Sequence, residues 1–107
     1  MVIELDIFSG RPNPHWTVDE ATATVVRDLV GRVSPTSASP PAAPDLGYRG
    51  FVCTDGTDTW RVYRGFVSRA GAVFTDASFS IERLLLQGMP HEYEALHTRV
   101  ASKLKAP

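Results

Sequence analysis

The residues with the most chemistry to offer lie close together near the start of the chain. Ser9, Arg11, Asn13, His15 and Trp16 fall in one stretch, Ser9-Gly10-Arg11-Pro12-Asn13-Pro14-His15-Trp16. A guanidinium can hold an oxyanion through two parallel hydrogen bonds, an amide both donates and accepts, and an imidazole titrates near neutral pH. Pro12 and Pro14 push Arg11 and Asn13 out of the helical region and hold the stretch extended. It leads into a helix start, where free backbone N–H groups and the helix dipole favour an anion. These residues form the candidate binding element, with Arg49 and Arg64 as further cations for an anionic ligand. A structural role competes with that reading. Trp16 stands where a hydrophobic staple against Ala21 would sit, and Arg11 is within reach of pairing with Asp6 or Glu4.

Other groupings of reactive side chains are weaker. Ser9, His15 and Asp6 are the residue types of a catalytic triad, but in a span too short for its usual geometry. Glu4 and Asp6 share a strand face about 7 Å apart, which suits paired carboxylates and equally suits a solvent face. Glu94-Ala95-Leu96-His97 is one E-x-x-H element without the second copy that a di-iron bundle needs. His91, Glu94 and His97 spread around about a third of a helix, which reads as a solvated face. Asp55-Gly56-Thr57-Asp58 places carboxylates in a turn but lacks the rest of a calcium loop. No glycine falls into a phosphate-loop or dinucleotide-binding pattern. Cys53, the single cysteine, stands in an expected strand with no histidine near it in sequence, as a small core residue would. The sequence therefore nominates no catalytic residue, no metal-ligand set and no cofactor.

Composition narrows the classes further. The chain has 107 residues, 43% of them hydrophobic and 21% charged, values of an ordinary single globular domain. A formal net charge of -1 argues against a general nucleic-acid binder. One cysteine allows no internal disulfide and no zinc pair. The opening Met1-Val2-Ile3-Glu4-Leu5-Asp6 is acidic where a signal peptide would be basic and then apolar, and no apolar run reaches membrane-spanning length. The expectation is a cytoplasmic protein. Nine arginines against two lysines, with abundant Ala, Val and Pro, point to a GC-rich bacterial genome.

The elements that must position these residues can be read from periodicity. Ile3, Leu5 and Ile7 alternate with Glu4 and Asp6 as in a half-buried strand. Thr17 and Glu20 match a capping box, and Val18, Ala21, Val25, Leu29 and Val33, with Val26 and Val30 beside them, form a helical stripe ending near Val33. Residues 34 to 45 are rich in Pro, Ser and Ala and read as a flexible, partly polyproline-like surface spacer. Tyr48-Arg49-Gly50-Phe51-Val52 then recurs as Tyr63-Arg64-Gly65-Phe66-Val67, each copy followed by a turn signal. Three strands are expected, roughly 47 to 54, 58 to 67 and 72 to 76. A two-residue turn at Asp55-Gly56 would set Phe51 opposite Trp60 and Tyr48 opposite Tyr63. Arg69-Ala70-Gly71 suits a three-residue loop. Ser80 caps a short helix with Ile81, Leu84 and Leu85, ended by Gly88 and Pro90, and a last helix runs from about His91 to Leu104. The order β-α-β-β-β-α-α implies a two-layer α+β domain, a mostly antiparallel sheet with helices on one face.

The segment from Glu4 to Trp16 resembles the opening of small bacterial proteins that carry a DIFSGRPNPxW-like segment and have no assigned activity. The resemblance extends to Gly47-Tyr48-Arg49-Gly50-Phe51 and to the helix from Glu82 to Leu86. It implies the same small fold and transfers no function and no site. The favoured expectation is a non-catalytic binding or partner module that uses the 9–16 loop to engage a protein. The alternative is a small enzyme or carrier acting on an anionic metabolite at the Arg11 loop, aided by Arg49 or Arg64.

Overall fold

A computed structural model describes residues 1–44 and 47–104. Its strands are β1 (Val2–Leu5), β2 (His15–Thr17), β3 (Ser34–Pro35), β4 (Phe51–Asp55), β5 (Asp58–Tyr63), β6 (Phe66–Arg69) and β7 (Ala72–Thr75). The helices are α1 (Glu20–Val30), α2 (Ser80–Gln87) and α3 (Glu94–Lys103), the last entered through a 3₁₀ turn at His91–Tyr93. All pairings are antiparallel, in the order β2-β1-β4-β5-β6-β7-β3. Ile3, Leu5, Phe51, Cys53, Trp60, Val62 and Val67 form one face of this sheet. They join Val26 and Val30 of α1, Ile81 and Leu85 of α2 and Val100 of α3 in a single buried cluster. The expected α+β arrangement is what the chain adopts.

Three expected elements differ. The 9–16 loop does not run straight into a helix. Its end is β2, which folds back on β1 with Ile3 opposite Trp16 and Glu4 opposite His15. Thr17 is consumed by that ladder, opposite Val2, so the cap of α1 is Asp19, whose carboxylate accepts from the Thr22 N–H at 2.8 Å. Asp19→Ala should therefore lower the melting temperature, whereas Thr17→Ala leaves the cap intact. The helix stops at Gly31, and the side chains it buries are Ala23, Val26 and Val30, while Val25 is exposed.

The Pro-rich stretch is not only a spacer. Ser34 and Pro35 extend the sheet beside β7, and the Thr36 N–H reaches the Val73 carbonyl at 3.1 Å. A proline is tolerated there because β3 is an edge strand. Pro40, Pro41 and Ala43 then lie beside Arg61 and Ser68 of the sheet face away from the helices. Asp45, the end of the expected spacer, lies outside the described residues.

The expected strand 58–67 breaks at Arg64 and Gly65, with φ of 49° and 82°. Positive φ at both central positions is the signature of a type I′ hairpin turn, and it makes β5 and β6 separate strands. Ala70 and Gly71 form a second two-residue turn of this kind in place of the expected three-residue loop. The β4–β5 hairpin turns over Gly56 and Thr57, so Cys53 faces Trp60 and Phe51 faces Val62. This shift puts Asp55 opposite Asp58, two like charges that would repel. Each is offset by its own arginine, Asp55 by Arg27 of α1 at 2.8 Å and Asp58 by Arg69. The expected contact of Tyr48 with Tyr63 survives without strand pairing, their rings 5.6 Å apart. The cap of α2 is not Ser80, which is its first residue; the Asp76 carboxylate instead accepts from the Ile81 N–H at 2.8 Å.

The two Tyr-Arg-Gly-Phe-Val copies thus take different conformations, and each glycine is required for its own reason. Gly50 has φ of 112°, and a Cβ there would lie 2.5 Å from the Val62 carbonyl oxygen. A Cβ on Gly65 would lie 2.5 Å from the Phe79 ring. The copies meet at Glu82 of α2, which is fully buried. Its carboxyl group accepts from the Tyr48 hydroxyl at 2.5 Å and from the Gly65 N–H at 2.6 Å.

Candidate functional site

The stretch from Asp6 to Pro14 connects β1 to β2 and is tied down from behind by a polar network. Asn13 turns inward, its carbonyl oxygen accepting from the Ile7 and Phe8 N–H groups at 3.0 and 2.8 Å. Its amide nitrogen donates to Glu4 at 2.9 Å and to Asp6 at 3.2 Å. This is an amide doing the work of a backbone turn, as short polar side chains do in loops. Asp6 is the hub. One of its oxygens takes Arg49 at 2.9 Å and the other takes Arg61 at 2.7 Å. Arg49 continues to the Phe8 carbonyl at 2.6 Å. Burial pushes the Asp6 carboxyl up, but the hydrogen bonds and charges of Arg49 and Arg61 outweigh it and hold the group below the ordinary carboxylate range.

The seven candidate residues therefore separate. Asn13 and Arg49 are engaged in this network. Trp16 lies on the inner face of the sheet, its ring 6.4 Å from Phe51 and 6.1 Å from Tyr93, so it packs against the core and not against Ala21, which is exposed. Arg11 pairs with neither Asp6 nor Glu4, because Arg49 and Arg61 already occupy Asp6. Its guanidinium carbon lies over the Phe8 ring, 3.7 Å from the centroid, and the residue is exposed. His15 is exposed, its Nδ1 3.4 Å from the Asn13 carbonyl oxygen, and Ser9 is exposed beside them. Arg11 and His15 border a shallow groove of about 430 Å³ whose other walls are Phe8, Pro12, Asn13, Pro14, Tyr93 and Leu96.

Arg64 belongs elsewhere. It borders a second cleft, of about 580 Å³, with Tyr48, Tyr63, Gly47, Arg99 and Lys103. α3 forms a wall of both depressions, through Leu96 in the first and through Arg99, Ser102 and Lys103 in the second. Sequence reasoning missed Arg99, Lys103, Tyr93 and Leu96 as site residues. Tyr93 ends the 3₁₀ turn and the other three lie along α3, where a core or solvent position is the ordinary reading, and only tertiary packing brings them beside the loop and the β5–β6 turn.

The remaining reactive groups are placed for structure. Cys53 is buried, and burial pushes its thiol up to about 12, so almost no thiolate exists near neutral pH. His91 and Glu94 face each other at 3.5 Å on an exposed surface. Among the described residues no three His, Cys, Asp or Glu side chains converge as a metal site would require. No described helix is long and apolar enough to cross a membrane. Comparison of the chain with protein-family models, with curated proteins and with solved structures returned no match.

Proposed function

We propose that this protein is a non-catalytic binding module whose contact element is the 9–16 loop together with the groove that Tyr93 and Leu96 form beside it. The observation that carries the reading is the division of labour within the loop. Asn13, Asp6 and Arg49 are spent on holding it rigid, while Arg11 and His15 point at one groove without an ion pair among the described residues. A rigid loop loses little freedom on binding, so the contacts it makes are not offset by ordering. The groove combines a stacked guanidinium with proline, tyrosine and leucine surfaces. Its complement is a protein segment that brings a carboxylate to Arg11 and an apolar side chain to Pro14, Tyr93 and Leu96. A net charge of -1 disfavours nucleic acid as that partner. A lone, buried cysteine suits a cytoplasmic setting.

Arg11→Ala tests this. Removing one charge-assisted contact should weaken partner binding by about 1.5 to 3 kcal/mol. Because Arg11 holds no carboxylate among the described residues, the melting temperature should stay close to that of wild type. The experiment pairs thermal melts with a pull-down from native lysate, using both proteins as bait. Equal recovery of the same partners by both baits would refute the reading, and a clearly lowered melting temperature would mark Arg11 as a structural residue.

A further inference from the structure

We infer that the cleft between the β5–β6 turn and α3 is a binding site for a small organic molecule carrying a phosphate or similar dianionic group, held by Arg64, Arg99 and Lys103. The site is separate from the Arg11 groove and rests on different observations.

The first is charge. Arg64, Arg99 and Lys103 border one cleft, and none of its described lining residues is acidic. None of the three forms an ion pair with a described residue, although most other arginines of the chain do. Three cations around one concavity repel each other, and the potential they focus there is relieved by an anion of more than one charge. Two guanidinium groups add the forked donors that match the oxygens of a tetrahedral oxyanion.

The second is the backbone that presents Arg64. It stands at φ of 49° in the two-residue turn, a position where Asn or Gly would be unstrained and where a long side chain costs stability. Such an outlier persists when something else holds it, and strained positions gather at ligand sites. Here the support is visible. Glu82 pins the Gly65 N–H and the Tyr48 hydroxyl together, so the turn and the tyrosine floor of the cleft form one rigid unit. Tyr63 also lines the cleft, and its hydroxyl makes no hydrogen bond to a described residue.

The third is size. At about 580 Å³ the cleft is far larger than an inorganic ion and within the usual range for small organic ligands. Ile7, Ala42, Pro44 and the two tyrosine rings supply apolar walls for the organic part.

Arg64→Asn separates binding from folding, because Asn-Gly is the preferred pair for a type I′ turn. The variant should melt at or above the wild-type temperature. Phenyl phosphate is the probe, titrated by calorimetry and by amide NMR, with benzoate and sodium chloride at matched ionic strength as controls. Wild type should bind phenyl phosphate saturably, with shifts at Gly47, Gly65 and Ser102. Arg64→Asn and Arg99→Gln should each weaken it by about tenfold or more, and Arg11→Ala should leave it unchanged. Arg64→Asn binding phenyl phosphate as wild type does, benzoate binding equally well, or shifts that fail to saturate would each overturn the assignment. So would a loss of binding in Arg11→Ala, since it would move the anion to the other groove.

Discussion

Glu82→Ala should destabilise the protein by about 3 to 5 kcal/mol, as much as truncating a large core side chain. Glu82 has no solvent exposure, and both of its oxygens are used, one by the Tyr48 hydroxyl and one by the Gly65 N–H. Truncation leaves those two donors buried without acceptors and opens a cavity between α2 and the β5–β6 turn. Urea melts of the purified variant measure the cost. Glu82→Gln is the informative companion, because its amide oxygen can still accept from Gly65 and its nitrogen can donate to the tyrosine oxygen. It should recover more than half of the lost stability. Equal losses in the two variants would mean that the carboxyl charge, and not the pair of hydrogen bonds, is what the site requires.

Asp6→Ala should cost about 2 to 3 kcal/mol, because it removes the acceptor shared by Arg49, Arg61 and Asn13. Arg61 is half exposed and can rehydrate, which keeps the expected loss below that of Glu82. Acid melts give an independent check. The folded Asp6 carboxyl titrates below its unfolded value, so its contribution is fully present above the ordinary aspartate range, near pH 4, and is lost as pH falls through the lower folded value. Wild type should lose stability across that interval, and Asp6→Asn should lack this part of the acid dependence. Identical acid profiles would remove Asp6 as a hub. The same variant should impair capture of a partner by the Arg11 groove, since the loop loses the anchor that holds Arg11 in place.

Local pattern was sufficient for the elements whose own residues decide them. Alternation marked β1, helical spacing with stop signals placed α1, α2 and α3 to within a few residues, and glycine-containing turns separated β4, β5 and β7. The antiparallel α+β arrangement follows from those lengths and short connections, because only hairpins fit between the strands. The non-helical course of the 9–16 loop was also legible, through two prolines that restrict its backbone.

What tertiary structure alone decided is clearest in the repeated Tyr-Arg-Gly-Phe-Val. Five identical residues lead into a strand in one copy and make a hairpin turn in the other, so their conformations come from their surroundings. Asp6 and the Val62 backbone shape the first, while Glu82 and Phe79 shape the second. The same holds for the arginines. Arg49 and Arg64 are equivalent in the motif, yet one is neutralised by a carboxylate 43 positions away and the other faces a cleft completed by α3. Charge pairing acts over a few ångströms in space, whereas sequence reports only distance along the chain. That is why the chain by itself nominated Arg11, Arg49 and Arg64 alike, and only tertiary packing decided that Arg49 is held by Asp6 while Arg64 borders a cleft with Arg99 and Lys103 of α3.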